Sequence, residues 1–217
     1  MPIFFQHQVN ENTRVGVWKI EETEGFFKNN VPQHRDVTHP HKRLQHLAGR
    51  FLLQFLFPDF PYELIQIADT RKPYLPDEQY HFSISHCGDY AAAIVSSRNR
   101  VGVDVEIPVE KILKISDKFL SEKEHSIFNI QYSIQNGIPL NTVPINIGSQ
   151  LPTLLWSSKE AVFKWYGDGG VDFRQHIRLF NLMEGKETID CFFAKNGSEL
   201  VINYRQFDGL TLAWVVS

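Results

Sequence analysis

Cysteine is scarce in this 217-residue chain, which contains only Cys87 and Cys191. Their spacing suits neither a zinc site nor a disulfide framework, so the pattern favours a reducing compartment. Long apolar runs are also lacking, since no stretch nears the ~20 residues of a membrane span and residues 1–5 do not resemble a secretory signal. The sequence therefore predicts a cytoplasmic protein with no membrane partner.

An excess of one charge is lacking too. The chain has 22 Lys and Arg against 25 Asp and Glu, which gives a net charge of −3. This balance argues against general nucleic-acid binding, because such proteins carry a basic face. Any anionic ligand must be held by a local group of residues. The length allows one large domain or two of roughly 100 residues.

The first clear helix is predicted after Thr38, with Thr38 as its cap and Pro40 in its first turn. Its core-facing stripe would consist of Leu44, Leu47, Phe51 and Phe55, and Pro58 and Pro61 would end it. Arg43 and Arg50 are two turns apart on another face of this helix. They could present two guanidinium groups to an anion, or they could belong to a solvated basic face.

Period-two alternation predicts two strands in the middle of the chain. In the first, Tyr80, Phe82 and Ile84 alternate with His81, Ser83 and Ser85, and residues 86–89 form a polar turn before the partner strand at residues 91–95. In the second, Val101, Val103, Val105 and Ile107 alternate with Gly102, Asp104 and Glu106. One face of each strand should lie in the core.

Further along, Ser121 to Glu124 fits a capping box, and residues 129–153 are expected to form a long loop or insertion. A second strong helix is predicted from Thr153 to Tyr166, before a glycine-rich turn. Three short strands should follow over Thr188 to Phe193, Glu199 to Arg205 and Leu210 to Val216, with Asn196-Gly197 and Asp208-Gly209 as turns. The order is a helix and then strands in each half, which indicates an α+β fold.

Acidic side chains on the second of the two middle strands are candidates for a metal site. Two residues apart on one strand face, Asp104 and Glu106 have Cβ atoms about 7 Å apart. They either face water or share a cation, and oxygen ligands alone favour Mg²⁺ or Mn²⁺ over zinc. On the second helix, Trp156, Glu160 and Lys164 share a face. Glu160 and Lys164 could form an ordinary ion pair, or supply a metal ligand or base and a phosphate contact.

Taken together, these segments resemble the ordered motifs of the Sfp-type 4′-phosphopantetheinyl transferases. The matching segments are Arg71-Lys72-Pro73, with Arg in place of the family's Gly, Phe82 to His86, Val101 to Glu106, and Trp156 to Lys164 with the Gly-x-Gly that follows. The likeness spans residues 71 to 170, and the helix that contains Arg50 extends it upstream. Each string alone is weak, but four in this order are specific.

The resemblance implies two similar α+β halves related by a pseudo-twofold, with coenzyme A in the cleft between them. We place the halves at residues 1–103 and 104–217 and expect a monomer. The implied activity is of the holo-[acyl-carrier-protein] synthase type. A serine of an apo acyl or peptidyl carrier protein attacks the β-phosphate of coenzyme A, which releases adenosine 3′,5′-bisphosphate.

The resemblance also implies residue roles. The expected Mg²⁺ ligands are Asp104, Glu106 and Glu160, and Lys164 would contact the same pyrophosphate. Ser85 and His86 would bind phosphate groups, and Lys72 would lie against the adenine or its phosphates. At a position where the family commonly has a basic residue that contacts phosphate, this chain has His41. Lys42 or Arg43 could supply that contact instead.

Glu160, directly or through a metal-bound water, is the candidate base, with His86 as its competitor. Lys111, Lys114, Lys118 and Lys123, interleaved with Ile112, Ile115 and Phe119, form either a carrier-docking surface or an ordinary amphipathic helix. Two other functions remain open at this point: a metal-dependent phosphohydrolase, and a non-catalytic protein that binds coenzyme A or a carrier protein.

Overall fold

The protein consists of two antiparallel sheets with helices packed on them. The structure is a computed structural model that describes residues 3–31, 37–128 and 145–217; in the last range, side chains are described from Ser149 onward. The first sheet has the order β1-β2-β6-β5 and the second the order β7-β11-β10-β9-β8, while β3 and β4 pair separately. The strands are β1 (Ile3–Asn10), β2 (Thr13–Lys19), β3 (Gln66–Ile67), β4 (Pro73–Tyr74), β5 (His81–Cys87), β6 (Tyr90–Ser96), β7 (Val101–Glu106), β8 (Ile177–Met183), β9 (Thr188–Phe193), β10 (Ser198–Phe207) and β11 (Leu210–Val216).

Two long helices flank the sheets. The helices are α1 (Glu24–Asn30), α2 (Pro40–Leu56), α3 (Lys111–Ile115), α4 (122–128) and α5 (Ile145–Tyr166), with short 3₁₀ turns at Tyr62–Leu64, Ser116–Lys118 and Glu184–Lys186. Among the residues that the structure describes, no helix combines the length and apolar character needed to cross a bilayer.

Alternating side chains on each sheet fill three apolar cores. Leu47 and Leu53 of α2 pack against the outer face of the first sheet. The inner faces of the two sheets meet through residues such as Val17 and Val103. Leu155, Val162 and other α5 side chains cover the far face of the second sheet. The result is a helix–sheet–sheet–helix order, and β7 lies between the first sheet and α5.

The α+β class, the predicted hairpin at β5 and β6, and the three predicted strands near the C-terminus agree with this structure. The pseudo-twofold and the division at residues 103 and 104 stay predictions. Every residue of β7 pairs with β11, so the chain passes from one sheet to the other in the turn at residues 97–100.

Two predicted helix boundaries are wrong. His39, not Thr38, is the N-cap of α2, and its Nδ1 accepts a bond from the Lys42 amide at 3.5 Å. The second long helix begins at Ile145 rather than Thr153, so part of the expected loop is helical, while residues 129–144 lie outside the described residues. Pro152 removes one amide donor but does not end α5, and the Thr153 hydroxyl donates to the Ser149 carbonyl at 2.7 Å.

A glycine on β7 allows α5 to approach the strand closely. A Cβ atom at Gly102 would collide with the carbonyl oxygen of Ala161 and the amide nitrogen of Trp165. Both of these atoms belong to helix backbone, which cannot move as a flexible side chain does. The absence of a side chain at residue 102 therefore sets the distance between β7 and the helix that carries Glu160 and Lys164.

Gly102→Ala should lower the free energy of unfolding by about 3 kcal/mol, because overpacking against backbone forces the elements apart. Gly185→Ala is the matched control, since nothing lies within 4 Å of a Cβ placed there; it should change stability by less than about 0.5 kcal/mol. Urea unfolding measures both values. Equal stabilities for the two variants would contradict this account of the β7–α5 contact.

Candidate active site

The buried carboxylate of Asp104 brings three elements together. Asp104 is 2% exposed. Its Oδ1 atom accepts bonds from the Ser85 hydroxyl of β5 and the Lys164 ammonium of α5, each at 2.7 Å. Lys164 Nζ also lies 2.8 Å from Ser85 Oγ, and the Ser157 hydroxyl donates to the Asp104 carbonyl at 3.2 Å. Three residues predicted from separate motifs thus form one hydrogen-bonded cluster.

Two further carboxylates share this environment. Glu106 Oε1 accepts a bond from the Trp156 indole at 3.1 Å, and burial, reinforced by the Asp104 charge, raises the pKa of Glu106. Burial and then the charge of Asp104 raise the pKa of Glu160 to about 7, against the opposing effect of Lys164. The three carboxylates therefore repel one another, and Lys164 offsets only part of their charge.

The donor set fits a hard divalent cation. Asp104 Oδ2 is buried and has no hydrogen-bond partner among the described residues, so it offers a lone pair at the centre of the cluster. Carboxylate oxygens are the ligands that Mg²⁺ prefers. In the described part of the chain, however, no three His, Cys, Asp or Glu side chains are already grouped as a metal site. A cation would require some rearrangement of the side chains around Asp104.

Basic groups lie near the end of β5. The N-terminal part of α2 is held against the β5–β6 turn by Gln45, which donates to the Gly88 carbonyl at 2.8 Å, and by His41, whose Nε2 is 3.0 Å from Asp89. Burial of the ring lowers the pKa of His86, and the charges of Lys164 and Lys42 act in the same direction. The charge of Lys42 thus reaches His86 from the first turn of α2.

The two arginines of α2 have structural partners. Arg43 donates to Glu24 of α1 at 2.8 Å and to the Val37 carbonyl at 2.8 Å. Arg50 is 4% exposed, and its Nε donates to His46 at 3.0 Å. The alternative of a solvated basic face is therefore wrong for Arg50, which is buried, while contact of the two guanidinium groups with one anion stays a prediction. A coenzyme A contact by Arg43 or His41 stays a prediction.

Lys72 lies between two cavities next to the cluster. A cavity of about 220 Å³ is lined by Lys72, Ser83, Ile84, Phe163 and Lys164. A neighbouring cavity of about 450 Å³ also contacts Lys72 and extends towards Arg100. The ammonium is 3.4 Å from the Trp165 carbonyl, and burial, aided by the Arg100 charge, lowers its pKa to about 8.

One buried ion pair next to the site was not predicted from the sequence. Lys159 is fully buried, and its ammonium contacts Glu124 at 2.7 Å and the carbonyls of Phe173 and Ile177 at 2.8 Å. Glu124 also accepts from the Ser121 amide at 2.7 Å, which confirms the capping box. The only indication of this pair in the sequence was the position of Lys159 between Ser158 and Glu160 in the helix motif. The pair attaches α5 to α4 at Lys159, the residue directly before Glu160.

Comparison with known proteins assigns the family. A family model described as the 4′-phosphopantetheinyl transferase superfamily matches residues 100–213, more than half of the chain. The chain belongs to the 4′-phosphopantetheinyl transferase superfamily. The matched region contains Asp104, Glu106, Glu160 and Lys164, the four residues that the sequence predicts for the cation and pyrophosphate site.

Curated relatives support the assignment. The chain is 34% identical over 87 residues to enterobactin synthase component D of Escherichia coli strain K12, which covers 39% of this chain and 41% of that protein. It is 33% identical over 132 residues to enterobactin synthase component D of Salmonella austin, which covers 58% of this chain and 49% of that protein. The chain thus spans less than half the length of these relatives.

Coenzyme A, the substrate expected for a phosphopantetheinyl transferase, should bind Lys72 most strongly below pH 8. The free protein loses the Lys72 proton near pH 8. A bound phosphate stabilises the ammonium and raises its pKa, so the complex keeps the proton at higher pH. Affinity should therefore fall as the pH rises above about 8, by at most about tenfold per pH unit. Calorimetric titration at pH 6.5 to 9.5 measures this dependence.

The variant Lys72→Met should bind coenzyme A more weakly at neutral pH and should lose this pH dependence. Lys195→Met removes the same charge from a lysine that contacts the Gly169 and Gly170 carbonyls, and it should keep the wild-type profile. An unchanged fall in affinity for Lys72→Met would remove Lys72 from the binding site.

Proposed function

We propose that this chain transfers the 4′-phosphopantetheine arm of coenzyme A to a serine of an apo acyl or peptidyl carrier protein, an activity of the holo-[acyl-carrier-protein] synthase type. The observation that carries the proposal is the Asp104 cluster, in which Ser85 and Lys164 from separate motifs meet one buried carboxylate. The family membership supports the same reaction. Because the relatives are named as components of a synthase, carrier domains of such synthases are the first candidates, beside the fatty-acid carrier.

The reaction breaks the phosphoanhydride bond of coenzyme A and forms a phosphodiester at the serine of the carrier. The serine oxygen forms a bond to the β-phosphorus of coenzyme A while the bond to the bridging oxygen breaks, so adenosine 3′,5′-bisphosphate leaves with the electron pair. The serine proton must be removed, and the charge on the pyrophosphate must be stabilised. Fixed charges and in-line positioning account for most catalysis in phosphoryl transfer.

Mg²⁺ would be held by Asp104, Glu106 and Glu160, whose oxygens fit a hard cation. When bound, it supplies positive charge to the pyrophosphate oxygens. Lys164 donates to the same phosphates once the substrate competes with Asp104 for its ammonium. Ser85 and His86, at the end of β5, provide hydrogen bonds to further phosphate oxygens.

Glu160 is the proposed proton acceptor, directly or through one water. In the protein without a cation, burial and the charge of Asp104 raise its pKa to about 7, so its carboxylate is more basic than that of an exposed glutamate. His86 is the competing base. Its position at the end of β5, beside the charges of Lys42 and Lys164, fits a phosphate ligand better.

Incubation of apo carrier proteins with this chain, Mg²⁺ and coenzyme A should add one phosphopantetheine to the carrier, as measured by intact-mass analysis. Glu160→Gln should lower the turnover number at least about 100-fold. His86→Ala should raise the KM for coenzyme A roughly tenfold, because it removes one bond to a charged group, while turnover stays near that of the wild type.

Three outcomes would contradict the proposal or its assignments. No mass gain on any carrier would exclude the transfer reaction. Consumption of coenzyme A without a carrier would indicate a phosphohydrolase instead. Wild-type turnover in Glu160→Gln, with loss of the chemical step in His86→Ala, would make His86 the base.

The proposed carrier-docking surface is limited to exposed residues of α3 and its 3₁₀ turn. Ile112 and Phe119 are 6% and 1% exposed, so they belong to the core and not to a docking face. Their buried positions follow from the packing of this segment against α5. Val109 and Leu113, which are 52% and 38% exposed, supply the apolar surface beside the exposed lysines of α3 and its 3₁₀ turn.

Charge reversal at Lys114 and Lys118, both to Glu, should raise the KM for an acidic carrier at least about fivefold and leave the KM for coenzyme A unchanged. The same change at Lys186 and Lys195, two exposed lysines elsewhere, is the matched control and should have little effect. The difference should shrink in high salt because exposed charges are screened. An unchanged carrier KM would exclude this docking surface.

A further inference from the structure

Lys164 and a divalent cation have the same partner. The ammonium bonds Asp104 Oδ1 at 2.7 Å, and the Asp104 side chain is 3% exposed against 25% for Lys164. The second carboxylate oxygen, Oδ2, is buried and has no partner in the described ranges. A cation that reached this oxygen would sit close to the lysine, on the opposite side of one carboxylate.

Two positive charges at one buried carboxylate repel each other strongly. A monovalent and a divalent charge about 5 Å apart at an effective dielectric constant near 20 repel enough to weaken binding far more than tenfold. Partial exposure of Lys164 and movement of its flexible stem reduce this effect. Even so, cation binding to the ligand-free chain must work against the ammonium.

A pyrophosphate changes this balance. Its oxygens are negative and can accept from Lys164, so the ammonium gains a second partner and can leave Asp104. The Ser85 hydroxyl stays beside Asp104 Oδ1 at 2.7 Å and keeps one bond to that oxygen when the lysine moves. The ligand then lies between the lysine and the cation and screens each charge from the other.

We propose that Lys164, bound to Asp104, opposes the binding of a divalent cation to the same carboxylate until a pyrophosphate-bearing ligand draws the ammonium away, so that the cation and this ligand bind as a coupled pair. The identity of the ligand as coenzyme A rests on the proposed function. Competition between Lys164 and the cation does not rest on the proposed function, because it concerns the protein without this ligand. By linkage, the ligand must raise cation affinity by the same factor as the cation raises ligand affinity.

Binding of Mn²⁺ to the ligand-free protein tests the competition, with free Mn²⁺ read by electron paramagnetic resonance. Lys164→Met should bind Mn²⁺ at least about tenfold more tightly than the wild type, because it removes the competing charge. Lys164→Gln is a second neutral variant and should behave likewise. Lys164→Arg keeps the charge and should bind as weakly as the wild type.

Lys195→Met is the control for a general change in net charge, since it removes one ammonium beyond the end of α5. It should leave Mn²⁺ affinity unchanged. Added coenzyme A should tighten Mn²⁺ binding in the wild type by a larger factor than in Lys164→Met. Thermal melts followed by circular dichroism confirm that each variant is folded.

Equal or weaker Mn²⁺ binding by both folded neutral variants would overturn the proposal, and so would the absence of measurable binding in all proteins. Tight binding by Lys164→Arg would also contradict it, because charge would then not be the cause. Failure of the proposed function would give a different set of results. Carrier proteins would gain no mass, while the neutral variants would still bind Mn²⁺ more tightly than the wild type.

Discussion

The burial of the Asp104 carboxylate is the constraint on which the rest of the site depends. A charge placed between two sheets and a helix is costly unless it is paired and hydrogen-bonded. The Ser85 hydroxyl and the Lys164 ammonium meet this requirement at one oxygen. The second oxygen has no partner among the described residues, so the compensation is incomplete in the ligand-free protein. The unpartnered oxygen makes Asp104 a candidate ligand-binding position and not only half of a structural ion pair.

The fold provides this arrangement through close packing. Gly102 lets α5 approach β7, and the Lys159–Glu124 pair fixes the same helix to α4 and to the start of β8. Lys164 therefore reaches Asp104 from a helix that is fixed by its contact with β7 and by the Lys159–Glu124 ion pair. Basic residues from α2, the segment before β4, and α5 lie near the cluster, so the proposed binding of an anionic ligand does not require a chain of net positive charge.

Alternation of polar and apolar residues predicts a strand even where both of its faces are buried, as in β7. The alternation in β5 and β7 was visible because polar side chains occupy a single face, and the spacing of Glu160 and Lys164 on α5 followed from helical periodicity. Strand β2 was missed because Val15, Val17 and Trp18 are buried on both of its faces, which removes the alternation. Strand β8 was missed because its register shifts between Phe180 and Leu182.

Side-chain partners far apart in sequence could not be predicted in this way. The pairing of Arg43 with Glu24 and the burial of Arg50 depend on how α1 and the turn after α2 pack, and periodicity does not report this. The burial of Ile112 and Phe119 likewise follows from contact with α5. The residues around Asp104 were predicted because the family resemblance links distant motifs.

The most direct measurement of the central claim is the intact mass of an apo carrier protein after incubation with Asp104→Asn, Mg²⁺ and coenzyme A. Asparagine keeps the size of the side chain and can still bond Ser85, but it removes the charge that Lys164 and a cation share. The wild type should add phosphopantetheine to the carrier, and the folded variant should add none. Addition at the wild-type rate by Asp104→Asn would show that the Asp104 charge is not required.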